Sequence, residues 1–257
     1  MSIKFIILGS GSSFGVPWAN GFSGKCNLKN NKNFRTRCSA LIKFNSKNIL
    51  IDTSPDLRYQ LMTNKIKTID KVFFTHLHAD QTHGINDLRS FFLKQKKKIP
   101  VYADKETTKY LFSTFKYCFK STNSYPSTLL LNSLKKKHTF NDKELKISIQ
   151  PIHVEHGYIN SICYLINDKL AYVSDISQFY IKDLIKLKNL NYLIIDCLRY
   201  KYHYSHFNLD QVLKIVKLLH PKKTILTNMN TDLDYLKLKN KLPKNIVPGY
   251  DGMTLTL

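Results

Sequence analysis

No two of the five cysteines (26, 38, 118, 163 and 197) are spaced as a CxxC pair. A structural zinc knuckle needs such a pair and a disulfide framework an even set, so these scattered, odd-numbered thiols suit a reducing, cytoplasmic setting. Long hydrophobic runs are missing as well. The opening MSIKFIILGSGSS holds one four-residue apolar run at 5–8, too short for a signal-peptide core. No later run approaches the ~18 apolar residues of a membrane span, and no membrane association is expected. Arginine is scarce, with five residues (35, 37, 58, 89 and 199) among 40 basic ones. The formal charge of +22 would suit a phosphate backbone, but it is almost all lysine spread along the chain, amid abundant asparagine and isoleucine. AT-rich coding produces that pattern, so nucleic acid is not the favoured partner, and the lysine runs at 94–98 and 135–137 read as solvated loops. The field still steers an anionic substrate. Repeats, low-complexity linkers and composition breaks are absent, so one domain over 1–257 is expected.

What is present is a core-forming chain, 43% hydrophobic and 12% aromatic, with strands in both halves and helices between. KFIIL (4–8), SALIKF (39–44), NILIDT (48–53), KVFFT (71–75), KISIQPI (146–152), SICYLI (161–166), LAYVSD (170–175), YLIID (192–196) and TILT (224–227) read as strands. Residues 45–47 and 167–168 are expected to turn two of the hairpins. SPDLRYQLMTNKI (54–66) has helical spacing with Ser54 as N-cap and proline at the first helical position. NLDQVLKIVKLL (208–219) is apolar at 209, 212, 213, 216 and 219, and its Asn208-x-x-Gln211 start suggests a capping box. Two packed sheets with helices outside follow from this order.

The densest chemistry is THLHADQTHG (75–84). His76 and His78 follow a strand two residues apart, so both imidazoles project from one edge, and Asp80 continues the spacing. Imidazole with carboxylate is the ligand set of hydrolytic Zn²⁺, Mn²⁺ and Fe²⁺ sites. His83 lies two helical residues beyond Gln81, roughly 200° of rotation, and is expected to pack rather than coordinate.

Together with GSGSSFGVP (9–17), RTRCSALI (35–42), IDTSPDLR (51–58), AYVSD (171–175), HYSHFNLDQ (203–211), LTNMNTDLDY (226–235) and YDGM (250–253), this stretch resembles the metallo-β-lactamase fold hydrolases. The branch it most resembles is the phosphoribosyl cyclic phosphodiesterase of phosphonate breakdown. The resemblance implies an αββα four-layer sandwich, cytoplasmic, acting on a small anionic phosphodiester, with a homodimer compatible. It places His76, His78 and His156 on a first metal, has Asp175 bridge, and puts Asp80 on a second metal. That second position should also carry two histidines, from HxHxDH and LTH. This chain has Gln81 and Asn228 there. Neutral amide oxygens are poor zinc ligands, though acceptable to harder ions. One Zn²⁺ or Mn²⁺ per chain is therefore favoured over two, ahead of a weaker second ion or a non-catalytic binding module.

Water activated at that metal would attack phosphorus, with Asp80 in the catalytic group and His206 as the general acid that protonates the leaving oxygen. A helix N-terminus depresses a histidine pKa, so a carboxylate or phosphate near His206 is required. His203 and Arg89 are candidates for substrate contact; Arg89 could equally pair with Asp52, Asp56 or Asp87. Asp52 is expected to organise the histidine loop. GxGxxxG at 9–15 matches neither a dinucleotide fingerprint nor a Walker loop. Relatives with a structural zinc cluster their cysteines near this loop, and with Cys26 alone before Cys38 none is expected. RNA processing of the tRNase Z kind ranks second, because HFNLD lacks the His–Glu pairing expected there.

Overall fold

The computed structural model describes residues 2–134, 139–142 and 147–257. The lysine run at 135–137 and the first residue of the strand expected at 146–152 lie outside them. Among the described residues, the N-terminal half supplies β1 (Lys4–Gly9), β2 (Ser39–Phe44), β3 (Lys47–Ile51), β4 (Lys71–Phe73), β5 (Ile99–Ala103) and β6 (Leu129–Ser133). The C-terminal half supplies β7 (Phe140–Asp142), β8 (Ile147–His156), β9 (Ile159–Ile166), β10 (Leu170–Val173), β11 (Gln178–Phe179), β12 (Tyr192–Asp196), β13 (Lys223–Thr227), β14 (Ile246–Pro248) and β15 (Thr254–Thr256). One sheet runs β15-β1-β2-β3-β4-β5-β6 and the other β11-β8-β9-β10-β12-β13-β14, with β7 paired to β8.

Strand periodicity sorts the side chains into layers. Phe5 and Ile7 of β1 point between the sheets, beside Ile42, Ile51 and Phe73, and meet Ile149, Ile162, Tyr164, Tyr172 and Ile194 of the opposite sheet. Ile6 and Leu8 point the other way, onto Leu57, Leu61, Leu88 and Leu111 from the helices Leu57–Thr63, Leu88–Gln95 and Lys105–Thr114. On the far side Val173, Leu193, Ile195 and Leu226 bury against Val212, Val216, Leu219 and Leu238 of the helices Leu209–Leu219 and Tyr235–Lys241. The central strands are apolar on both faces because each sheet is covered there on both. The result is the expected αββα sandwich.

The helix Leu209–Leu219 carries the full capping box: Asn208 Oδ1 accepts from Gln211 N and Gln211 Oε1 accepts from Asn208 N. Asn167 and Asp168 both adopt left-handed backbone, as a two-residue hairpin turn demands. The helix expected at 54–66 is shorter, Leu57–Thr63. Ser54 does not cap it by the expected geometry; its Oγ accepts from Asp56 N and donates to Gln60 Oε1. At the other end the Asn64 amide donates to the Gln60 carbonyl and Lys65 turns left-handed.

The glycine-rich segment 9–17 is held by tertiary contacts. At Gly9 a Cβ would stand 2.0 Å from the Arg37 carbonyl, so only glycine lets these strands meet. Asp251 clasps both segments: Oδ1 accepts from Ser10 N and Oγ, and Oδ2 from Thr36 N and Oγ1. Burial raises its carboxyl to about 6, against the pull of those donors. A carboxylate raised in the folded state adds stability that is fully present below the unfolded pKa and lost as pH rises through the folded one. As pH rises from 4.5 to 7.5 the wild type should therefore lose about 2 kcal/mol of stability to urea unfolding relative to Asp251→Asn. Parallel stability profiles for the two proteins would contradict this.

Candidate metal centre

The functional side chains sit where strands end on one rim. His76 lies just past β4, His156 closes β8, Asp175 follows β10, Asp196 closes β12 and Asn228 follows β13. β10, β12 and β13 are mutually parallel, so their carboxyl ends deliver these residues side by side.

Three imidazoles converge. His78 Nδ1 is 3.0 Å from His76 Nε2 and 3.3 Å from His156 Nε2. Nitrogens each about 2.0–2.1 Å from a tetrahedral Zn²⁺ stand roughly 3.3 Å apart, so the cluster has the size of a metal site. The tautomers are set from behind. Thr75 Oγ1 donates to Asp52 Oδ2 and so accepts from His76 Nδ1, leaving Nε2 as the ligand atom. His156 Nδ1 donates to the Ser205 carbonyl at 2.7 Å, with the same result. Asp52 also accepts from Thr75 N, and its left-handed backbone (φ 61°) turns its carboxylate toward the loop. Burial pulls the pKa of His76 down to about 3 and lowers those of His78 and His156, so all three are neutral ligands at pH 7. These residues fit a divalent metal.

Asp175 is buried beside them. Burial alone would raise its pKa, but the surrounding His76, His156 and His206 hold it below the usual carboxylate range. Gln81 Nε2 donates to Asp175 Oδ2 at 3.2 Å and to Asp80 Oδ2 at 3.4 Å. Asn228 Nδ2 donates to Asp175 Oδ1 at 3.1 Å and to the Ser174 carbonyl at 2.9 Å. A carbonyl can only accept, so that last bond fixes which end of the Asn228 amide faces inward. Both amides thus present N–H groups to the carboxylate rather than oxygens to a cation. Gln81 Oε1 is buried without a partner. Asp80 is half-buried; burial and Asp175 raise its pKa. It lies outside the tight groups His76–His78–His156 and His156–Asp175–His206, whose ligand atoms fall within 4.8 Å of one another.

The ring of His206 is 4.7 Å from that of His156, and its Nδ1 donates to Asp196 Oδ2 at 2.8 Å. Asp196 also accepts from Ile176 N. Burial would lower the His206 pKa, but Asp196, Asp175 and Asp80 outweigh it and raise it to about 9. Asp196 is the carboxylate that the helix-terminus argument required, and the sequence reading did not name it. The signal available was the YLIID ending, which repeats the strand-then-aspartate pattern of AYVSD. His203 lies next to His206, ring centroids 5.2 Å apart.

Arg89 is placed elsewhere. Its guanidinium lies over the Tyr125 ring at 4.3 Å, and it lines a cavity with Arg58, Met62 and Leu93 that none of these histidines enters. Phosphate contact, one of two equal expectations for Arg89, finds no support in this placement. The alternative pairings are also taken: Asp56 by Arg37 in a two-pronged bond of 2.6 and 2.8 Å, Asp87 by Arg58 N, and Asp52 by Thr75. His83 packs edge-on against Phe115.

This fold and this histidine rim define a class. Residues 47–229 match the β-lactamase superfamily domain, and the chain belongs to that family, in its metallo-β-lactamase form. A divalent metal, often zinc, goes with the fold. Within the family, a crystal structure of a diphosphatase from the PhnP family is 29% identical, with a TM-score of 0.90 over 100% of this chain and 98% of that one. Human tRNase Z, short form, is 16% identical with a TM-score of 0.70 over 98% of each chain, a likeness of fold. An octanoyltransferase of Porphyromonas gingivalis is 30% identical over 98% of this chain, which spans about half (51%) of that protein.

Proposed function

We propose that this chain is a single-metal hydrolase of small phosphoric esters, a phosphodiesterase with a histidine general acid. The observation that carries this is His206, paired with the buried Asp196 and set against His156 on the rim of the three-imidazole cluster. Zn²⁺ or Mn²⁺ held by His76, His78, His156 and Asp175 would supply Lewis acidity toward phosphoryl oxygen and water. Asp196 fixes the His206 tautomer, so Nδ1–H is committed and Nε2 carries the proton for the departing oxygen. Asp80 accepts a hydrogen bond from Gln81 on the same rim. Gln81 and Asn228 fill the second position with N–H donors, which satisfies Asp175 without a second ion. The diphosphatase relative supports a phosphorus–oxygen leaving group of this kind. Octanoyl transfer gains no support from the site: the thiols of Cys26, Cys38, Cys118, Cys163 and Cys197 are all buried, and burial pushes every one of their pKa values up.

The charge of +22 favours a second reading, RNA processing of the tRNase Z kind. Two measurements separate the readings. Metal analysis of purified protein should give about one equivalent per chain; two would refute the single-metal site, and none would indicate a binding module. Metal-loaded protein should hydrolyse bis-p-nitrophenyl phosphate and leave precursor tRNA intact, whereas cleavage of precursor tRNA would favour the nuclease.

A further inference from the structure

We infer that the lip of the metal centre is a stacking platform for a planar base, so that the esters cleaved there, on the hydrolase reading above, carry a nucleobase-sized aromatic group. Rings run without a break from solvent to the metal ligands. Tyr158, two residues past His156, is 97% exposed. Its ring lies 5.9 Å from that of Tyr204, which is 59% exposed. Tyr204 stacks on His203 at 4.9 Å with 24° between the planes, His203 is 5.2 Å from His206, and His206 is 4.7 Å from His156.

The platform is built rather than incidental. Gly157 turns left-handed (φ 59°), and a Cβ there would stand 2.9 Å from Ser205 Cβ and 3.2 Å from Tyr204 Cε2, so glycine lets the hairpin tip close against the tyrosine. The loop bearing Tyr204 is pinned from both sides. Arg199 donates to the Lys201 and Tyr202 carbonyls, the Ser205 carbonyl accepts from His156, and Ser205 N donates to His203 Nδ1. A lone exposed tyrosine is ordinary. A pinned series whose inner end is the general acid is different, because whatever lies on it is within a sugar phosphate's reach of the group being cleaved. Arg199 and Lys201 on the same loop add positive charge suited to a phosphorylated ligand. Stacking on such rings accepts any base, since every base has a π-face.

The test uses metal-loaded protein and a matched pair, adenosine 2′,3′-cyclic phosphate and 1-O-methylribose 2′,3′-cyclic phosphate. The wild type should prefer the base-bearing ester by about tenfold in kcat/KM. Tyr204→Leu should reduce that ratio to within about twofold, and Tyr204→Phe should restore it. Equilibrium binding of AMP should weaken about tenfold in Tyr204→Leu. A wild-type ratio near one, or equal losses on both esters in Tyr204→Leu, overturns the platform, as does unchanged AMP binding in that variant. If AMP binding depends on Tyr204 and neither ester is cleaved, the platform stands and the hydrolase reading falls.

Discussion

His206→Ala should lower kcat on a phosphodiester by about 10²–10⁴-fold, with metal content unchanged at about one equivalent. The size follows from what the side chain does. An alkoxide leaving without a proton is a poor leaving group, and among the described residues His206 is the imidazole on this rim whose Nδ1 bonds a buried carboxylate and which lies outside the three-imidazole group His76–His78–His156. Asp196 Oδ2 fixes Nδ1–H at 2.8 Å, so the proton to be delivered sits on Nε2. Removing Asp196 should act through that orientation: Asp196→Asn should lose activity by less than His206→Ala, and the double variant should be no worse than His206→Ala alone, since groups that act as a unit are not additive. A leaving group of low pKa needs little protonation, so bis-p-nitrophenyl phosphate should show a smaller deficit than an alkyl ester. An equal deficit on both would mean that His206 positions substrate instead of donating a proton, and an unchanged rate would remove it from the chemistry.

Much of the sandwich could be read from the chain, because strands covered on both faces are continuous apolar runs. SALIKF and YLIID match β2 and β12 residue for residue, and TILT falls inside β13. The strands not anticipated explain themselves. β5 begins directly after the lysine-rich stretch and contains Pro100, and β6 ends in Asn132 and Ser133, so neither shows a clean apolar signal. Residues 54–66 read as one helix by spacing, yet side-chain bonds from Ser54 and Asn64 trim both ends, and such local side-chain bonds leave no periodic trace. For the site, HLHAD announced the histidines. Which atom each turns inward depends on Thr75 and on the Ser205 carbonyl, and the latter is a backbone group contributed from a distant loop. Asp196 shares the strand-then-aspartate pattern of AYVSD, but that pattern does not say which side chain the carboxylate serves, and the partner His206 comes from the loop beyond it. Arg89, for which phosphate contact and carboxylate pairing stand as equal expectations, is carried by its helix to Tyr125 instead.

The double substitution Gln81→His/Asn228→His should raise metal content from about one to about two equivalents per chain, and neither single substitution should do so. Asp175 and Asp80 already offer carboxylate oxygens at this position, and what occupies the remaining corners is a pair of amide N–H donors. One imidazole would leave the other amide still donating to Asp175, with too few ligands for a zinc ion that wants four. Two imidazoles complete the set. The backbone permits the change: residue 228 is left-handed (φ 58°), a conformation in which histidine, like asparagine, is enriched among non-glycine residues. Losing the Asn228 bonds to Ser174 and Asp175 should cost the metal-free protein about 1–3 kcal/mol, and added Zn²⁺ should restore the melting temperature, because a ligand bound only by the folded state stabilises it. Wild-type protein should gain thermal stability from Zn²⁺ in a single saturable step and the double variant in two. A wild type that already takes two ions would show that the amides turn their oxygens inward, against the Ser174 hydrogen bond. A double variant that still takes one would place the barrier in the shape of the rim and not in the identity of these two side chains.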